Sequence, residues 1–334
     1  MSVIDVTDSY RLLLDRRETV TTALASELGS LADDHPLLVE AVRRLLDSDG
    51  SVHNAFRLLP FPVLGALFSD QDAALPVAVF SRLWWTGAEV FDDIADGDFD
   101  AGVVGVSAAQ ASIASVACLA LMPQEMIARQ DVPAALRSAW AAEFAAGSLG
   151  AAEGQLDDVS HDMDTNTWTA AMRIYTGKSG TPYGRDCAMA ALLAGVDDSA
   201  VRGWRAFGRL FGVLRQMAND RVAGTPDTRD DLANGTLTLL LALAAEQADV
   251  AEAGSLNALR ARARTDLSAR RELREYLDDH EVVKAYQGRV GAIHRKLTAL
   301  LEALAAPSEH RDLIQWMVNE SAAGARLTES AGAA

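Results

Sequence analysis

From residue 9 to residue 323 the hydrophobic positions recur with helical spacing. Nowhere do they alternate in the two-residue rhythm of strands joined by hairpin turns. The pattern predicts helices over 9–29 and 36–48, a break at Pro60 and Pro62, and a long helix from Asp72 to the aspartates at 92–96. Further helices are predicted over 106–122, 131–157, 166–195, 199–223, 229–248, 252–266, 268–277, 280–305 and 308–323. Start signals support several of these. Pro36 suits a first helical turn, Asp164-Thr165-Asn166 precedes Trp168, and Asp197-Asp198-Ser199 precedes Ala200. Gly195 is placed to close a helix. No fixed-period repeat and no linker composition interrupts the series, so a single all-helical domain over 1–326 is expected. The small, polar residues 327–334 are expected to be a disordered tail.

One stretch brings chemistry into this picture. The apolar helix pattern of Trp84-Trp85-Thr86-Gly87-Ala88-Glu89-Val90-Phe91 runs straight into Asp92, Asp93 and Asp96. Positions i and i+4 share a helical face with i+1 nearby, so three carboxylates crowd one patch. Uncompensated, they would repel one another. A hard divalent cation resolves the crowding, and Mg²⁺ prefers oxygen ligands together with waters and substrate phosphates. A second acidic segment follows another apolar helix: Asn219 and Asp220 at its end, Asp227 beyond Gly224 and Pro226, then Asp230 and Asp231. Either cluster alone reads equally well as capping or solvated residues. Together they predict a metal-lined mouth above an apolar interior.

Composition narrows the classes. The chain carries 47 acidic and 30 basic residues, a net charge of −17, which argues against a nucleic-acid partner. Cys118 and Cys187 sit in apolar patterns and are expected to be buried thiols. No basic-then-apolar leader and no uncharged apolar run of spanning length is visible, so a cytoplasmic protein without stable membrane insertion is expected.

The order of these motifs resembles the trans-isoprenyl diphosphate synthases and class I terpene synthases over roughly residues 50–245. Phe91-Asp92-Asp93-Ile94-Ala95-Asp96 resembles their first aspartate motif. Asn219-Asp220 through Asp227, with 231–239 after it, resembles the second. Gly154-Gln155-Leu156-Asp157-Asp158 is similar to their Gly-Gln helix, and Lys178-Ser179-Gly180 to their Lys-Thr helix break. The resemblance implies an all-α class I terpenoid synthase bundle around a central apolar cavity, three Mg²⁺ ions, and an isoprenyl diphosphate substrate. Asp92, Asp93, Asp96, Asn219, Asp220 and Asp227 would be the metal ligands. Relatives are often homodimers.

Departures from the family pattern shape the functional expectation. The basic segment that holds isopentenyl diphosphate in elongating members is reduced to Arg57 in His53-Asn54-Ala55-Phe56-Arg57-Leu58-Leu59-Pro60. No arginine follows Asp96 in Gly-Asp-Phe-Asp-Ala-Gly-Val-Val-Gly. A second diphosphate would lack cationic partners there, which disfavours elongation. The Asn219, Ala223, Asp227 spacing leans toward terpene synthases, although Ala223 lacks their hydroxyl. Arg173 stands 46 positions before Asn219, where bacterial terpene synthases carry a diphosphate-sensing arginine. Thr176 and Gly177 would then be their linker and effector, with Gly177 opening a helix break whose carbonyl faces the pocket. The alternative for Arg173 is an exposed helix residue. Lys178, Arg221 and Arg215 are further cationic candidates for the diphosphate, with Arg57 beside them.

Along the helix to Asp92, Gly87 and Ala88 are small and Trp84 is large. This predicts room one turn below the diphosphate and a floor two turns down, about 11 Å away. The expectation favours C20 geranylgeranyl diphosphate over C15 farnesyl diphosphate. Phe80, Phe91, Gln155, Trp168, Tyr175, Tyr183 and Phe211 are candidate pocket residues, with plain core packing as the alternative. The leading functional expectation is a terpene cyclase. Behind it stands a prenyltransferase acting on an acceptor other than isopentenyl diphosphate, with elongation less favoured. A catalytically silent helical partner subunit is the third.

Overall fold

In a computed structural model, residues 6–48, 55–68, 70–160, 167–222, 232 and 235–326 are described. Among them every regular element is a helix. The helices are α1 (Val6–Leu31), α2 (Pro36–Ser48), α3 (Pro60–Leu67), α4 (Leu75–Asp96), α5 (Ala101–Val104), α6 (Ala108–Val116), α7 (Met122–Arg129) and α8 (Ala134–Val159). Then come α9 (Trp168–Tyr175), α10 (Thr181–Leu193), α11 (Asp198–Val222), α12 (Leu239–Gln247), α13 (Val250–Ala263), α14 (Leu267–Leu277), α15 (His280–Leu304) and α16 (Glu309–Ala325). The predicted caps at 164–166 and the tail 327–334 lie outside the described residues.

Local chemistry sets most of the boundaries. Asp70 accepts a hydrogen bond from the Asp72 amide and opens a 3-10 turn, Gln71–Ala74, that leads into α4. α4 ends at Gly97, whose φ of 80° lies in the left-handed region where a side chain is disfavoured. Asp100 caps the short α5, which hydrophobic periodicity did not predict because one turn has no period. Ser107 and Gln110 form a reciprocal capping box at the start of α6. Asp197 caps α11, accepting from the Ala200 amide at 2.8 Å, and Gly195 has a φ of 71°.

Two helices carry a widened π turn, Ala117–Leu121 and Thr176–Gly180. Each ends two residues before a proline, Pro123 and Pro182. Proline has no amide to donate four residues back, and its ring clashes with that carbonyl. A π turn absorbs the mismatch without breaking the helix axis. The predicted break at Gly177 is therefore a continuous helix.

The chain gathers into two compact units. The first comprises Met1–Leu149, Pro182–Gly208 and Leu301–Trp316; the second comprises Gly150–Thr181, Arg209–Leu300 and Met317–Ala334. In the first unit α4 packs against α1, α2, α6 and the π turn that follows α6. Val77, Phe80, Leu83, Trp84 and Val90 bury its inner face, and Trp140, Phe144, Trp204 and Phe207 add aromatic bulk. In the second unit α12 packs on α9, and α13 pairs with α14. Its core holds Tyr175, Phe211, Leu214, Met217, Leu241 and Tyr286. Both cysteines are buried free thiols, and burial pushes that of Cys118 up to about 12. By length and composition alone one stretch, Ala108–Arg129, could cross a bilayer; half of its apolar window is buried within the fold.

Candidate functional site

The first acidic patch belongs to the first unit. Asp92 and Asp93 are half-buried and Asp96 is exposed, all on the last turns of α4. One turn earlier, Glu89 forms an ion pair with Arg57. The Arg57 guanidinium also lies 4.7 Å from the centre of the Trp85 ring. Arg57, expected to meet a diphosphate, is thus engaged by a carboxylate and an aromatic face. Glu89 escaped the sequence reading, although its position four residues before Asp93 places it on the aspartate face. Trp85 packs at 5.4 Å from Tyr183 and edge-on to Trp84 at 5.2 Å.

Behind α4 lies a buried polar group. Arg185 is sandwiched between Trp84 and Phe144, with its guanidinium carbon 4.7 and 4.6 Å from their centres. Its Nε donates to Asp186 at 2.8 Å, and Asp186 accepts from the Ser81 hydroxyl at 2.5 Å. The two terminal nitrogens of Arg185 have no hydrogen-bond partner among the described residues. Aromatic faces and the adjacent carboxylate offset part of the desolvation of that charge. The Trp84 indole donates to Ser148 at 3.1 Å, so Trp84 is held from two sides.

The expected room beside Gly87 is not there. A Cβ on Gly87 would lie 2.7 Å from Cβ of Cys118 and 3.0 Å from the Ser115 carbonyl oxygen. Gly87 is small because a neighbouring helix needs the space. Ala88 stays half-buried one position on. Phe91, expected as a pocket wall, is 41% exposed.

The second acidic segment lies in the second unit. Asn219 is exposed, and its amide oxygen accepts from Arg215 at 3.2 Å. Asp220 is held from two directions. Gln216 donates to one oxygen at 2.9 Å, and the buried Tyr175 hydroxyl donates to the other. Tyr175 in turn accepts from the Leu239 amide at 3.1 Å, and Ser179 donates to the Gln216 carbonyl at 2.7 Å. Burial first, then the nearby Asp220 charge, pushes the Tyr175 hydroxyl well above its ordinary range, so it stays protonated. Tyr175 was expected only as a pocket or core residue; the sequence signal for its polar role would have been a tyrosine three residues before the lysine of a Lys-Ser-Gly turn, which is weak. Asp227, with Ala223, Thr225, Asp230 and Asp231 and the side chain of Arg221, lies outside the described residues.

The cationic candidates of this unit are paired with the Gly-Gln helix. Arg173 binds Asp157 through two hydrogen bonds of 2.5 and 2.7 Å, from an exposed position. Lys178 meets Asp158 at 2.6 Å. Arg260, missed by sequence reasoning, is buried and donates to the Gly235 carbonyl. Burial and the nearby Arg264 lower its pKa to about 10, with Asp158 acting in the opposite direction. The Gly177 carbonyl, expected to face a pocket, accepts the Thr181 hydroxyl. Gln155 is half-buried, and Phe211 is fully buried core.

The donor chemistry suits a hard cation, because the described candidate ligands are all oxygens on the last turns of α4 and α11. Among the described residues, no three His, Cys, Asp or Glu side chains close into a ready-made cage. Mg²⁺ does not require one, since it commonly takes one or two carboxylates and fills the octahedron with water and phosphate.

No protein-family model matches the chain, and no curated protein matches it significantly. Solved structures do. The geranylgeranyl pyrophosphate synthetase of Pyrococcus horikoshii superposes with a TM-score of 0.78 at 20% identity, over 94% of this chain and 99% of that one. The polyprenyl synthetase of Streptomyces coelicolor gives 0.75 at 20% identity, over 93% and 99%. The geranylgeranyl pyrophosphate synthase of Corynebacterium glutamicum, solved with isoprenyl diphosphate and magnesium, gives 0.73 at 18%, over 96% and 99%. The chain has the all-α isoprenyl diphosphate synthase fold.

Proposed function

We propose that this chain is a Mg²⁺-dependent prenyltransferase that ionises an allylic isoprenyl diphosphate and passes the prenyl group to an acceptor other than isopentenyl diphosphate. One observation carries the choice of acceptor. An elongating enzyme needs a second cationic diphosphate site, and here a single cation, Arg57, remains of it, paired with Glu89 and set over Trp85. No arginine stands in residues 97–105 to replace it.

On this reading Asp92, Asp93, Asp96, Asn219, Asp220 and Asp227 hold the metal, expected as three ions, over one catalytic domain spanning 1–326. When bound, Mg²⁺ neutralises charge on the leaving diphosphate. Lys178 and Arg173 bind the diphosphate by exchanging their pairs with Asp158 and Asp157, and Arg221 adds a third cation. The C–O bond breaks with its electron pair leaving on the diphosphate. The acceptor atom bonds to the prenyl carbon and gives up its proton. Trp85 and Tyr183 offer aromatic faces to the allylic cation, and apolar walls exclude water that would quench it. With the space beside Gly87 filled, the preference for a C20 over a C15 substrate rests on Ala88 alone.

Cyclisation is the second reading. It draws on the spacing of Arg173 from Asn219 and shares the ionisation step. Incubation with C10, C15 and C20 diphosphates and Mg²⁺ separates the readings, with and without isopentenyl diphosphate and with a panel of aromatic and heterocyclic acceptors. Prenylated acceptor supports the proposal. Hydrocarbon or terpene alcohol formed without acceptor selects the cyclase, and lengthened diphosphates select the elongase. Asp92→Ala and Asn219→Ala should each abolish turnover with unchanged helical circular dichroism; near-normal rates in both sink the site assignment.

A homodimer in the cytoplasm, with no nucleic-acid partner and no stable membrane insertion, completes the proposal. Ile113, Val116 and Leu121 are 66%, 53% and 62% exposed along one helical stretch of the first unit, an apolar surface suited to a second copy. Light scattering after size exclusion tests it: a monomer at micromolar concentration rejects it.

A further inference from the structure

We propose that Tyr175 is a positioning residue for the second acidic segment: its hydroxyl ties the Asp220 carboxylate to the first turn of α12 and thereby sets metal affinity there. The inference rests on the metal-binding reading above and deepens it.

The geometry fixes Asp220 through a chain of defined direction. The Ser179 hydroxyl donates to the Gln216 carbonyl oxygen, which turns the Gln216 amide nitrogen toward Asp220. The Tyr175 hydroxyl donates to the other Asp220 oxygen and accepts the Leu239 amide. That amide is one of the first in α12, where helical partners are lacking. A phenol with both its donor and an acceptor position used has no rotational freedom left. The ring itself is clamped, since Tyr175 is only 3% exposed. A carboxylate has about four acceptor positions, so two oriented bonds fix its plane and still leave it able to ligate. Residues that orient metal ligands in this way typically govern affinity by about 10- to 100-fold.

The test is titration of MgCl₂ into the full chain with inorganic pyrophosphate, followed calorimetrically, for wild type, Tyr175→Phe, Gln216→Met and Asn219→Ala. Thermal melting without Mg²⁺ is recorded for each. Tyr175→Phe keeps the buried ring and is expected to weaken Mg²⁺ binding by about 10-fold or more. In turnover it should raise the Mg²⁺ requirement while restoring kcat at saturating Mg²⁺. Gln216→Met approaches Asp220 from the other side and should act in the same direction, which keeps the test decisive if Tyr175→Phe folds poorly. Wild-type Mg²⁺ affinity in both variants, whatever their melting temperatures, overturns the positioning role alone. A wild type that takes up no Mg²⁺ with pyrophosphate, indistinguishable from Asn219→Ala, overturns the metal-binding reading and this inference with it.

Discussion

Gly154 and Gly177 face each other with no side chain between them: a Cβ on Gly154 would lie 2.5 Å from the α-carbon of Gly177. The contact joins the Gly-Gln end of α8 to the π turn that carries Lys178. It brings Asp158 and Lys178, on those same two segments, into a 2.6 Å ion pair. Gly154→Ala has no flexible neighbour to displace, only backbone. Loss of about 1–3 kcal/mol of stability is expected, measured by denaturant unfolding. Wild-type stability would show that the two segments can move apart freely.

Gly87→Ala sets the same problem on the aspartate helix. The added carbon meets Cys118 and the Ser115 carbonyl, so it forces α4 away from its neighbour. Destabilisation of about 1–3 kcal/mol is expected, together with faster reaction of the Cys118 thiol with a disulfide reagent. In the unaltered protein both thiols should stay unreactive until the chain unfolds, since both are buried. If Gly87→Ala instead leaves stability unchanged and shortens the accepted prenyl chain, the residue lines a pocket after all.

Removing the partner of a buried cation is costly. Asp186→Ala would leave Arg185 in its aromatic sandwich without a counter-charge and deprive Ser81 of its acceptor. A loss of about 3–5 kcal/mol is expected from denaturant titration. A loss below about 1 kcal/mol would indicate that water reaches the guanidinium.

His310 supplies a pH dependence. Its ring packs against Gly65, and burial lowers its pKa below the ordinary 6.5, with Arg16 pushing the same way and Glu309 opposing. Below 6.5 the unfolded chain therefore binds more protons than the folded one. The stabilisation is complete above 6.5 and is lost as pH falls through the lowered folded value. Wild type should lose melting temperature between about pH 7 and pH 5 more steeply than His310→Gln. Parallel curves would exclude this linkage.

The amino-acid sequence by itself determined the helices and many of their ends, because caps, prolines and left-handed glycines act over three or four residues. Asp197, Gly97 and Gly195 needed no distant partner to do so. It also determined that acidic oxygens end two apolar helices. Only the tertiary structure decided what the residues around those oxygens do, because a contact between helices leaves no local period. Gly87 looked like room and proved to be a seat for Cys118. Gly177 looked like a break and proved to be a π turn, since Pro182 forbids an ordinary turn while Gly154 lets the widened one pack. Tyr175 looked apolar, and its hydroxyl turned out to join Asp220 and Leu239, which lie 45 and 64 positions further along the chain. Burial makes such polar groups find partners wherever the fold brings them, and only the fold says which partners are near.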